Sequence, residues 1–173
     1  MSAAPAAAAS SKQEEKKDET EEAAAPAKQP AKLSFSGSRM VGGEGGAAFD
    51  DLNHKKIKKI SVYSGMIVDA IMVTYDNGPG KKHGSDSGKE HSMDLDDDEY
   101  VTSVVVRHAN LVHCLTFVTN KGHKLVAGGK GRPLIDKKGE ETEFQAPNGK
   151  QLCGINGRSG ASLDAIGFRW GPI

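Results

Sequence analysis

Three segments of this chain share one pattern: GMIVDAIMVTY (65–75), ANLVHCLTFVT (109–119) and GASLDAIGFRW (160–170). Alternate side chains of a strand point to opposite faces. Asp69, Ile71, Val73 and Tyr75 therefore share a face in the first segment, and Asp164, Ile166, Phe168 and Trp170 in the third. His113, Leu115, Phe117 and Thr119 match them in the middle. Each segment reads as a strand with a polar residue at its mouth and a buried face beyond. A second element recurs in step: GGEGG (42–46), GSDSG (84–88) and GGKGR (128–132) each stand ahead of a repeat strand. Glycine loses more freedom on ordering than any other residue, so runs of it persist where the backbone takes positive φ or approaches something closely. Two unrelated elements recurring three times in one order imply three copies of one unit, packed around a shared core.

Around these repeats the chain is all-β in character. Short β-branched runs at 57–63, 67–75, 100–106, 111–119 and 163–170 read as strands, punctuated by turn signals such as DNGPG (76–80) and PNG (147–149). No stretch between them has a helical period. Residues 1–34 differ: they are rich in Ala, Lys, Glu, Gln and Pro, and lack any aromatic residue. Such a segment buries too little apolar surface to offset its ordering entropy, so it is expected to be a disordered tail ahead of one domain over 35–173.

Charge and motif content exclude several functions. Twenty-three basic residues balance twenty-three acidic ones, which leaves no global field for nucleic acid. No apolar run reaches membrane-spanning length, and the N-terminus has neither the basic start nor the apolar core of a signal peptide, so no membrane insertion and a cytoplasmic location are expected. Cys114 and Cys153 are too few for a disulfide framework and are read as reduced packing residues. The six histidines lack metal-ligand spacing, and neither a metal nor a cofactor is expected. No nucleophile elbow, P-loop or dinucleotide fingerprint is present, and Asp69 and Asp164, on different repeats, are too separated for a glycosidase pair, so the chain reads as a non-enzyme.

Taken together, GGEGGAAFDD, SGMIVDAIMVTY, DDEYVTSV, LTFVTNKG and GRSGASLDAIGF resemble a jacalin-related lectin over residues 39–170. The resemblance implies a β-prism I fold: three four-stranded antiparallel sheets with pseudo-threefold symmetry. In the mannose-binding branch the sugar lies between a glycine-rich loop and a GxxxD loop. The closing repeat carries that motif as Gly160, Ala161, Ser162, Leu163 and Asp164, with Gly46 opposite. The resemblance assigns the Asp164 carboxylate and the Ala161 and Ser162 N–H groups to the sugar's ring oxygen and 4- and 6-hydroxyls, and the Gly46 N–H to the 3-hydroxyl. The first repeat offers a second site, with Gly65, Met66, Ile67, Val68 and Asp69 facing Gly88. There Ser85, Asp86 and Ser87 depart from the glycine pattern and are expected to narrow the site. In the middle repeat Ala109 and His113 replace the glycine and the aspartate, and no site is expected.

The residue chemistry agrees with that assignment. A hexose hydroxyl needs a donor and an acceptor, which flanking amides and an ionised Asp supply. A misplaced hydroxyl would leave a buried partner unpaired at a cost of about 1–3 kcal/mol, so stereochemistry is read strongly. The galactose-preferring relatives are cleaved ahead of the glycine loop and carry an aromatic in the GxxxD loop. This chain runs on through Met40 and Val41, and 161–163 contain no aromatic, which favours mannose/glucose-containing glycans. A homo-oligomer, a dimer in the first instance, is expected because single shallow sites bind weakly. Two alternatives stand beside this reading: sulfated or anionic glycans bound by the basic run Lys55 to Lys59, and an interaction scaffold without sugar binding.

Overall fold

The computed structural model describes residues 35–173; the tail expected over 1–34 lies outside the described residues. Those described residues form a β-prism with no helix: three sheets, antiparallel throughout, each built on one repeat hairpin. In the first sheet Ile57–Ser64 pairs with Val68–Tyr75 and carries Lys89–Asp94 on its other side. The middle sheet runs Lys124–Gly128, Val112–Thr119, Val101–His108, Glu140–Gln145. The third joins both ends of the domain: Leu163–Pro172 pairs with Lys150–Ser159, which pairs with Ala47–Asp50.

Four strand positions per sheet were expected, and the outermost one is broken in two of the sheets. Gly78–Pro79 and His83–Gly84 share the free edge of Val68–Tyr75, and Ser36–Gly37 and Val41–Gly42 share that of Leu163–Pro172. Pro79 offers no N–H to a ladder, which suits it to an interrupted edge. At that edge the middle sheet alone has a continuous strand, Lys124–Gly128.

The core lies where the inward faces of the repeat strands meet. Ile71, Val73, Leu115, Phe117, Ile166 and Phe168 are all fully buried. The Phe117 and Phe168 rings meet edge to face at 6.4 Å. Burying an aliphatic or aromatic side chain of this size stabilises by about 1.5–3 kcal/mol. The strand alternation read from the sequence therefore holds inward of each mouth.

At the mouths themselves it breaks in the same way three times. Tyr63 pairs with Ala70 but Ser64 pairs with Val68, which leaves Asp69 as the extra residue of a β-bulge. Arg158 and Ser159 pair with Ala165 and Leu163, leaving out Asp164. Arg107 and His108 pair with Cys114 and Val112, leaving out His113. A bulge re-aims a side chain and tightens the local twist. Val68 and Ile71 can thus both be fully buried while Asp69, between them, stays at the mouth.

Candidate functional site

The three mouths are built from matching backbone contacts. In the hairpin turns, the N–H of Gly65, Ala109 and Gly160 donates to the carbonyl of Ile67, Leu111 and Ser162 at 3.0, 2.9 and 2.9 Å. Opposite each turn a glycine-rich loop lays one N–H on the bulge residue's carbonyl: Ser85 on Asp69 at 3.1 Å, Gly129 on His113 at 2.9 Å and Gly43 on Asp164 at 2.8 Å. GGEGG therefore serves the closing repeat, GSDSG the first and GGKGR the middle.

In the third-repeat mouth the Asp164 carboxylate stands against bare backbone. A Cβ on Gly45 would lie 2.7 Å from its Oδ1, and one on Gly46 2.6 Å from its Oδ2 and 2.5 Å from the Ser159 carbonyl. Gly46 also has φ +70°, which side-chain-bearing residues seldom adopt. Arg158 closes the back of the loop: its Nε donates to the Gly45 carbonyl at 3.0 Å and its Nη2 to the Gly46 carbonyl at 2.8 Å. Burial raises the Asp164 carboxyl above the ordinary carboxylate value, and the nearby Arg158 charge opposes the rise. Gly160 and Ala161 are open to solvent, whereas the Leu163 side chain is fully buried, so Leu163 lends this mouth only its backbone.

The first-repeat mouth repeats the arrangement with different support. A Cβ on Gly88, at φ +87°, would lie 2.6 Å from Asp69 Oδ2. Burial again raises the Asp69 carboxyl, and the opposing charge is Arg132, from the middle repeat's glycine loop. That loop leans on this mouth, with the Gly131 N–H donating to the Met66 carbonyl at 2.9 Å. Of the residues expected to narrow the site, Asp86 points wholly into water and pairs with Lys82 at 3.2 Å, while Ser85 Oγ accepts from the Ser87 N–H at 3.3 Å. Met66 is exposed, but Ile67 and Val68 are core residues and bring only backbone to the mouth.

The middle mouth is filled from within. The His113 ring is fully buried, and a Cβ on Gly131 or Gly139 would fall 2.7 Å from its Cε1 or 3.0 Å from its Nδ1. Neither ring nitrogen has a hydrogen-bond partner. Burial lowers its pKa, the Asp136 charge opposes that, and Arg107 and Arg132 lower it further. The loop above is pinned where Asp136 accepts from the Arg132 backbone N–H at 2.6 Å and from its Nη2 at 2.8 Å. At this mouth a buried imidazole stands where the other two present a carboxylate.

Within the basic run Lys55 to Lys59, Lys55 and Lys58 are exposed, whereas Lys56 and Lys59 are only half-exposed. Lys56 Nζ donates to the Glu99 carbonyl and lies among the charges of Asp96, Asp97, Asp98 and Glu99, and Lys59 is the strand partner of Asp94. Cys114 and Cys153 are free thiols, each raised in pKa by burial. The sequence had not singled out Arg158 or Arg132. A basic residue two positions before GASLD is visible, but its partners lie more than a hundred residues away, and no spacing rule links them.

Comparison with known proteins gives one answer. The chain matches the jacalin-like lectin domain over residues 38–169. It is 38% identical over 143 residues to horcolin of Hordeum vulgare subsp. vulgare, covering 73% of this chain and 90% of that one. It is 36% identical over 137 residues to jacalin-related lectin 19 of Arabidopsis thaliana, covering 73% and 75%. Among solved structures, a mannose-binding lectin from champedak superposes with TM-score 0.68 at 29% identity, covering 79% of this chain and 96% of that one. Artocarpin in complex with mannotriose does so with TM-score 0.67 at 28% identity, covering 79% and 97%.

Proposed function

The chain belongs to the jacalin-like lectin family, and from that membership and its two carboxylate mouths we propose that it is a non-enzymatic lectin for mannose- or glucose-type glycans. One observation carries the reading: at two of the three bulges a partly buried carboxylate faces a glycine loop so closely that a Cβ on Gly46 or Gly88 would lie 2.6 Å from the Oδ2 of Asp164 or Asp69. Asp164 with the N–H groups of Gly46, Ala161 and Ser162 forms the first site, and Asp69 with Gly88 and the turn 65–68 the second. The carboxylate accepts from hydroxyls in charge-assisted bonds while the amides donate, which gives a hexose the mixed partners it needs. The mannotriose-bound relative supports mannose as the class of ligand.

Each site is shallow, with affinity for a monosaccharide on the order of 1 mM, or about 4 kcal/mol. Avidity then comes from two sites per chain and from a dimer, which together raise binding by roughly 10²–10⁴ without new contacts. Titration calorimetry with methyl α-mannoside, and methyl α-galactoside as control, tests the reading. Binding of the mannoside alone, at two sites per chain and with little change on adding salt, is the expected result. Loss of one site in Asp164→Ala and of the other in Asp69→Ala assigns them. Binding that collapses between low and moderate salt would move the ligand to anionic glycans, and mannoside binding unchanged in both variants would refute the assignment.

A further inference from the structure

The three hairpins carry different residues at one equivalent place. Opposite the residue that follows the bulge stand Tyr63 in the first repeat, Arg107 in the middle and Arg158 in the third. Their uses diverge. Arg107 pairs with Glu141 across its own sheet at 3.1 Å. The Tyr63 ring lies under Lys82 Nζ at 3.9 Å from its centroid. Only Arg158 reaches its glycine loop, with one nitrogen on the Gly45 carbonyl and another on the Gly46 carbonyl.

We propose that Arg158 is the positioning residue of the third-repeat mouth: by holding the Gly45 and Gly46 carbonyls at the back of the loop it fixes the Gly46 N–H on the sugar side, and makes this mouth the stronger of the two. The inference rests on the reading of that mouth as a sugar site. A trans peptide places its C=O and N–H on opposite sides, so an anchored Gly45 carbonyl dictates where the Gly46 N–H points. The loop needs such an anchor because GGEGG has almost no side chains to hold it, and a loop ordered before binding spares the ligand that ordering cost. The guanidinium fork matches two successive carbonyls, which a lysine ammonium cannot do with the same directionality. Arg158 also places a positive charge near Asp164, favouring the ionised acceptor a sugar hydroxyl needs. In the first-repeat mouth the two duties are divided. Arg132 supplies the charge from another repeat, and the loop's side-chain bonds, Ser87 N–H to Ser85 Oγ and Lys82 to Asp86, run within its own segment and do not reach the hairpin.

The test uses the Asp69→Ala chain, in which only the third-repeat mouth reports, titrated with methyl α-mannoside across a range of pH. Arg158→Ala is expected to weaken binding about tenfold, or ~1.4 kcal/mol, and to move the acid midpoint of binding upward as Asp164 loses its neighbouring charge. Arg158→Lys is expected to return the midpoint while leaving the affinity low, at a melting temperature equal to that of its parent. Full affinity in the Ala variant overturns the proposal, and so does full recovery by Lys, since charge alone would then suffice. If Arg158→Ala does not fold, the Lys variant decides by the same criterion. Absence of any binding in the Asp69→Ala parent overturns instead the reading of this mouth as a sugar site.

Discussion

Replacing Gly46 by alanine separates the two reasons for glycine at that position, because another glycine carries one of them alone. Gly46 has φ +70° and no room for a Cβ, which would lie 2.5 Å from the Ser159 carbonyl and 2.6 Å from Asp164 Oδ2. Gly149 has φ +76° with nothing within 4 Å of its Cβ. A left-handed conformation costs an alanine about 1–2 kcal/mol, against which the stiffer unfolded chain returns about 0.4–1 kcal/mol. Gly149→Ala is therefore expected to destabilise by about 1.6 kcal/mol or less. Gly46→Ala adds the displacement of backbone on one side and of the carboxylate on the other, an overpacking cost of about 1–3 kcal/mol. Its total is about 2–4 kcal/mol. At roughly 2–4 °C per kcal/mol for a domain of this size, the melting temperature should fall about 5–15 °C in Gly46→Ala and only a few degrees in Gly149→Ala. Differential scanning calorimetry measures both, and mannoside titration of the folded Gly46→Ala protein should find one site in place of two. Equal destabilisation by the two substitutions would refute the packing of the glycine loop against Asp164.

Two pH-linked outcomes follow from the buried ionisable groups. Because burial raises the Asp164 carboxyl above its ordinary 3.8, the folded state holds that proton longer than the unfolded chain, and stability is lost as pH rises through the window between the two values. Asp164→Asn should then melt no lower than the parent at neutral pH while losing the third-repeat sugar site; a lower melting temperature there would contradict the assigned shift. The reverse sign applies to His113, whose pKa is lowered from 6.5: the unfolded chain takes the proton first, and stability falls as pH drops below that value. His113→Leu should lessen the loss of stability between about pH 7 and 5, and parallel losses in the two proteins would exclude His113 as a contributor.

The inner strands of the prism were legible in the sequence because both of their requirements leave a trace there. Val68–Tyr75, Val112–Thr119 and Leu163–Pro172 bury large residues at period two, and their mouths repeat one motif. The outer strands leave almost none. Lys89–Asp94 (KEHSMD) and Glu140–Gln145 (EETEFQ) each have four exposed residues and two half-buried ones, so charge is tolerated on both faces and no apolar alternation forms. Lys150–Ser159 is well buried, but Gly154 and Gly157 interrupt its pattern. The candidate site was legible in its carboxylates and glycines, each an unusual residue for its position. The bulges were not, since a bulge is a property of the pairing between two strands, and neither strand records it alone. Arg158 was hidden for a similar reason: its role is set by the loop it reaches, not by its neighbours in sequence.

Chain connectivity accounts for the difference between the third mouth and the others. Asp69 and His113 are each followed, at the same distance along the chain, by the glycine loop that faces them, beginning at Gly84 and Gly128. Hairpin and loop belong to one continuous unit, and the loop cannot travel far from its mouth. The loop that faces Asp164 instead precedes it by more than a hundred residues, at Gly42–Gly46. Bringing two remote segments together costs more loop-closure entropy than joining near neighbours, although the cost grows only slowly with length. Something must therefore hold this junction that the other two mouths obtain from their connections. Pairing of Ala47–Asp50 with Lys150–Ser159 fixes one side of it, and Val41–Gly42 against Leu163–Pro172 the other. Between those anchors lies the glycine run itself, with Glu44 its one side chain, and the Arg158 fork spans that gap. The mouth that closes the ring of repeats is thus the one whose loop carbonyls are held by a side chain of its own hairpin.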